Sequence, residues 1–161
     1  MKLLVIGTIV IGVVGLVVIG GLVALNRTQG NRSAGSPDLP SARLAPCPDS
    51  PNCVSTQAPP EDAQHSADPI SVAGKPEEII ARIVAIVEAQ PRMDVVEQGD
   101  RYLRATATSA LFRFVDDVDF LVVPEESVVH MRSASRVGQS DMGVNRHRYE
   151  FFRTALEDRA P

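Results

Sequence analysis

The chain has 161 residues, a formal net charge of -4 and only 4% aromatic side chains, with 44% apolar residues overall. An acidic balance with so few aromatic rings argues against nucleic-acid binding, which needs a basic face and stacking platforms. The length leaves room for one compact domain beside an anchor.

Leu3 to Leu25 contains no charged residue and consists almost wholly of Leu, Ile, Val, Gly and Ala. About 20 such residues cross a bilayer core, whereas the apolar part of a signal peptide runs to about 7–15. The run ends in Ala24-Leu25-Asn26-Arg27 without a small-x-small cleavage site. Residues 1–25 are therefore predicted to form an uncleaved transmembrane helix, with a cleaved signal peptide as the other reading. Residues 26–45, rich in Gly, Ser, Pro, Asn and Arg, offer little to bury and read as a flexible linker.

Lys2 precedes the apolar run while Arg27, Arg32 and Arg43 follow it, so the distribution of positive charge does not place the C-terminal part outside. The cysteines do. Cys47 and Cys53 are the chain's two cysteines and sit in the turn-rich segment CPDSPNC with no pair of His or acidic ligands beside them. A disulfide is expected, worth roughly 2 kcal/mol for so short a loop, and it requires an oxidising compartment. The expected topology is single-pass in the inner (cytoplasmic) membrane, with an extracytoplasmic domain over residues 46–158. Pro46 and the polar stretch before Cys47 exclude a lipoprotein acylation site. The sequons at Asn26 and Asn31 arise easily by chance and carry no weight.

Ala58 to Pro69 reads as an irregular surface segment, and Ile70-Ser71-Val72 as a short strand. Pro76 suits the first position of a helix, and Glu77 and Glu78 favour its positive end. Ile79, Ile80, Ile83, Val84 and Val87 recur at helical spacing until Pro91. Met93 to Glu97 and Arg101 to Ser109 are predicted strands around a turn at Gln98-Gly99-Asp100. In the next strand, Phe114, Asp116, Val118, Phe120 and Val122 share the core face. Pro124 to Ser127 turns the chain, and Val128 to Ser133 returns.

If Val123 pairs with Val128, Phe120 falls opposite Met131, and Asp119 opposite Arg132 on the outer face, where His130 is expected as a surface residue. The last helix is predicted over Met142 to Glu157, burying Val144, Phe151, Phe152, Ala155 and Leu156. Arg148 projects among these, so a bidentate pair with Asp116 is expected at the edge of the core, unless the side chain snorkels to solvent. The fold class is α+β, a four- to five-stranded antiparallel sheet with two helices on one face.

Few residues suggest chemistry. Gly138-Gln139-Ser140-Asp141-Met142-Gly143 misses the third glycine of a nucleophile elbow by one position and follows an antiparallel hairpin. The three histidines show no metal spacing. The carboxylates of Asp116, Asp117 and Asp119 are split between strand faces, so no metal or other cofactor is expected. The basic stretch from Arg132 to Glu150 offers more. Ser140 or Asp141 can cap the last helix, and the helix start with Arg132, Arg136, Gln139, Ser140 and Asn145 could bind an anion. Against that, Asp141 can itself occupy the positive helix end.

CPDSPNCVS (Cys47 to Ser55), FVDDVDF (Phe114 to Phe120) and RSASRVGQSDMGVNRHRYE (Arg132 to Glu150), in that order, resemble the domain of unknown function 1499 family. The resemblance covers about Leu44 to Leu156. It implies a small envelope or organelle protein and brings no catalytic residues with it. It marks Cys47, Cys53, Asp116, Asp117, Arg132, Arg136, Asp141, Asn145 and Arg148 as important for fold or function. The expected function is that of a membrane-anchored extracytoplasmic binding or structural protein recognising an anionic small molecule, a lipid head group or an envelope protein. A hydrolase using Asp117 or Asp141 with the arginines is the alternative.

Overall fold

The computed structural model describes residues 43–157. The predicted anchor at 1–25 and nearly all of the predicted linker lie outside the described residues. Among the described residues no helix is long and apolar enough to cross a membrane.

The described elements are β1 (Cys53–Ser55), β2 (Ile70–Ser71), α1 (Pro76–Glu88), β3 (Met93–Gln98), β4 (Tyr102–Thr108), β5 (Val115–Val123), β6 (Val128–Ser135) and α2 (Val144–Glu157). The architecture is α+β. Its antiparallel sheet has six strands rather than four or five, in the order β1-β6-β5-β4-β3, with β2 also on β6. The extra strand, β1, is too short for alternation to show. It exists because β6 offers its outer edge, pairing Cys53 with Ala134 and Ser55 with Arg132.

The β5–β6 register pairs Val123 with Val128, Phe120 with Met131 and Asp119 with Arg132, as the hairpin pattern implies. Both helices pack on one face over Leu103, Ala105, Val118, Phe120, Val122, Val129 and Met131. α1 starts at Pro76, with the Lys75 N–H donating to Glu78 Oε2 at 3.4 Å, and buries Ile79, Ile80, Ile83, Ile86 and Val87.

Two expectations fail in α2. The helix begins at Val144, not Met142, because Met142 and Gly143 both take left-handed backbone angles (φ 55° and 81°) that a right-handed helix cannot include. Its buried face is Asn145, Tyr149, Phe152 and Leu156, while Val144 and Phe151 stand 47% and 42% exposed. The stripe of apolar residues misleads here because two polar side chains find partners inside. Asn145 bonds to Ser133, Ser135 and Asn52, and the Tyr149 hydroxyl donates to the Asp68 carbonyl at 2.8 Å.

The outer face of the sheet is also not a wet one. Asp117, Asp119, His130 and Arg132 are all buried there, so His130 is no surface residue. Leu44, at the end of the expected linker, packs with Tyr102, Leu121 and Val123 on this face.

Candidate functional site

Arg132 to Glu150 spans the end of β6, a loop and the first half of α2, so its side chains reach both faces of the sheet. Each aspartate of β5 meets one of its arginines. On the helix side, Arg148 Nη2 donates to Asp116 Oδ2 at 2.8 Å. The contact is single rather than bidentate, because Nη1 turns to Ser133 Oγ (2.8 Å) and Asn145 Oδ1 (2.6 Å).

On the outer face Arg136 holds Asp117 with two bonds, Nε to Oδ2 at 2.9 Å and Nη2 to Oδ1 at 2.8 Å. The carboxylate raises the Arg136 pKa, first through these bonds. Arg132 approaches Asp119 at 3.5 Å, and its buried Nε has no partner. Asp119 takes a shorter bond from the Tyr102 hydroxyl, 2.7 Å, and burial raises its pKa despite that donor. Neither the role of Tyr102 nor the pairing of Arg136 with Asp117 is legible in the sequence. The β4–β5 register that sets Tyr102 two residues from Arg104, itself opposite Asp119, depends on a bulge-free hairpin whose loop shows no turn signature.

Asp141 is the cap of α2, accepting from Gly143 N–H at 3.0 Å and Asn145 N–H at 2.7 Å. Ser140 accepts from Met142 N–H at 3.3 Å, closing the turn before it, and Gln139 is exposed. The residues grouped as an anion site are therefore not gathered round a free space. Arg132 and Arg136 face one side of the sheet with their own carboxylates, and Asn145 is buried on the other, 1% exposed. The helix start is filled by Asp141. Both oxygens of Asp117 and of Asp141 accept hydrogen bonds.

Asn145 joins two parts of the chain. Its amide donates to the carbonyl of Asn52 at 2.9 Å, and Asn52, 2% exposed, donates from Nδ2 to the carbonyl of Gly138 at 2.8 Å. Asn52 lies in the loop closed by the Cys47–Cys53 disulfide. The same loop is held by His65, whose Nδ1 meets Asp62 Oδ2 at 2.7 Å while Nε2 meets the Ser50 carbonyl at 3.1 Å. The motif CPDSPNCVS thus braces the start of α2.

The open space lies next to this network, not within it. A cleft of about 480 Å³ runs between the segment after α1 and the exposed side of α2. Met93, Val144, Phe151 and Phe152 make it mainly apolar, and the Asp116–Arg148 pair forms part of the wall. Arg92 and His147 also line it. Arg92 uses Nε on the Thr108 carbonyl (3.2 Å); its Nη nitrogens and the His147 ring have no hydrogen-bond partner among the described residues. Val144 and Phe151 belong here, which is why apolar periodicity assigned them to the core. A second groove, about 520 Å³, is more polar, and its Arg146 is committed to the carbonyls of Ser66 and Gln64.

The model of the protein family of unknown function DUF1499 matches residues 43–156. The chain belongs to the DUF1499 family. That span coincides with the described fold and contains the disulfide loop, the three aspartate–arginine pairs and the cleft. No curated protein and no solved structure matches the chain. The DUF1499 assignment fixes a fold unit and leaves the activity to be argued from the site. Among the described residues no cluster of His, Cys, Asp or Glu could hold a metal ion.

Proposed function

We propose that this DUF1499 protein is a membrane-anchored extracytoplasmic binding domain that holds an anionic amphiphile in the cleft between the α1–β3 segment and α2. The observation that carries this reading is an apolar cleft whose wall presents the Nη nitrogens of Arg92 and the His147 ring, which have no hydrogen-bond partner among the described residues. Its volume lies within the range of about 300–1,000 Å³ usual for small-molecule sites. Apolar walls suit an acyl chain, and a guanidinium suits a phosphate or carboxylate head group. Binding is favoured over hydrolysis because the aspartates beside the arginines are already engaged. Placement in the inner membrane, with the domain outside the cytoplasm, is supported by the apolar run from Leu3 to Leu25 and by the disulfide.

The test is calorimetric titration of the full chain in lipid nanodiscs with octyl phosphate below its micellar concentration. Inorganic phosphate and octanol serve as the separate halves of the ligand. Octyl phosphate should bind, both halves much more weakly, and Phe151→Asp should abolish binding. Arg92→Asn should weaken it about tenfold, a usual scale for one charge-assisted contact. Asparagine is chosen because Arg92 has φ 63°, which it tolerates. Equal binding of octyl phosphate by wild type and both variants would refute the cleft as the site.

A further inference from the structure

We propose that the end of the domain formed by the β4–β5 loop, the β6–α2 loop and the start of α2 docks onto the surface of a phospholipid bilayer carrying anionic head groups. Scattered single apolar residues are ordinary on a protein surface; several gathered at one end of a sheet are not. Leu111 and Phe112 in the first loop are 79% and 58% exposed, Met142 in the second is 94% exposed, and Val144 and Phe151 complete the group on α2. They share one end of the sheet. The first loop joins the end of β4 to the start of β5, and its Ser109 lines the same cleft as Val144 and Phe151.

The exposed tips are held in place by bonds elsewhere in the loops. Ser109 N–H donates to the Phe114 carbonyl at 2.8 Å, Phe114 N–H to Ser109 Oγ at 2.9 Å, and Phe112 stacks on Phe114. Met142 is fixed between the bonds made by Ser140 and Asp141.

Three observations favour a bilayer over a protein partner. Leu111, Phe112 and Met142 are exposed without lining the cleft, and the exposed side chains Arg92, Arg113 and His147 stand at the same end, the combination that suits an interface between acyl chains and anionic head groups. The cleft is continuous with this surface. A bilayer is also within reach, since Asn26 to Arg43 comprises 18 residues and spans up to about 60 Å when extended. Leu44 packs near the start of β4 and the end of β5, the opposite end of the sheet, and the nine residues of β5 cover about 30 Å. The exposed end can therefore face the membrane that the apolar run would enter. None of this requires an amphiphile in the cleft.

The test uses single added cysteines, because the described cysteines are joined in the disulfide. Phe112→Cys, Met142→Cys and, at the opposite end, Asp100→Cys are each labelled with an environment-sensitive fluorophore in the full chain. The labelled proteins are reconstituted in vesicles of phosphatidylcholine and phosphatidylglycerol, with and without bromine on the acyl chains. The Phe112 and Met142 labels should lose about half their emission to brominated lipid, as expected for insertion to about 5–10 Å, and the Asp100 label should not. Leu111→Asp should restore the emission of the Met142 label. Equal quenching at all three positions would overturn the proposal. So would a blue shift at Phe112 that grows with protein density without bromine quenching, which would mean a second copy covers the surface. Because octyl phosphate titration reads the cleft alone, either result can fail without the other.

Discussion

Arg136 meets Asp117 with two nitrogens at 2.8 and 2.9 Å, whereas Arg132 meets Asp119 with one at 3.5 Å. Bidentate geometry and 13% and 5% side-chain exposure make the first pair costly to break from one side. Arg136→Ala should lose about 3–5 kcal/mol in chemical denaturation by stranding the Asp117 charge, and Asp117→Asn in the same chain should recover part of it. Additive losses would show that the pair contributes nothing as a pair. His130 makes a different prediction. Burial holds its pKa below the ordinary 6.5, with Glu126 opposing that shift, Arg43 adding to it and Thr56 Oγ1 at 3.1 Å from Nδ1. The folded state favours the neutral ring, so its stabilisation is complete above 6.5 and is lost as pH falls through the lowered value, where the unfolded chain takes up the proton first. His130→Gln should flatten stability against pH just below 6.5; an unchanged slope would contradict the burial argument.

Among the elements, α2 depends on groups outside itself. Asp141→Ala should cost about 0.5–2 kcal/mol by removing the acceptor of two N–H groups at the helix start. Asn145→Ala should cost more, about 3 kcal/mol, because it strands bonding groups of Ser133, Arg148 and Asn52 together. Thermal unfolding of the two variants ranks them, and a smaller loss for Asn145 would mean the network is redundant.

These same residues mark how far a sequence can be read. The hairpin of β5 and β6 was legible because period-two alternation and an acid–base pair agree on one register. α1 was legible because its apolar stripe has no competitor. The helical face of α2 was not, since Asn145 is buried by partners up to 93 residues away that no local pattern reveals. The partner of Arg136 was not legible for the same reason. Asp117 and Arg136 stand on one face of adjoining segments, but the bend that brings them together follows from the bond of Arg136 N–H to the Val115 carbonyl.

For the molecule as a whole, the disulfide links location to stability. It closes the loop that holds Asn52 against the carbonyl of Gly138 and the amide of Asn145, so reduction acts on α2 as well as on the loop. The loop entropy alone is worth roughly 2 kcal/mol, and loosening Asn52 adds to it. In a reducing cytoplasm the domain would lack that support, which is why the compartment is a physical prediction and not a label. In intact cells a membrane-impermeant maleimide should leave Cys47 and Cys53 unmodified, and should modify both once an impermeant reductant is present. Modification only after the cells are opened, without any reductant, would place free thiols in the cytoplasm and reverse the topology. Modification without reductant in intact cells would keep the topology and remove the disulfide, and with it the brace on α2.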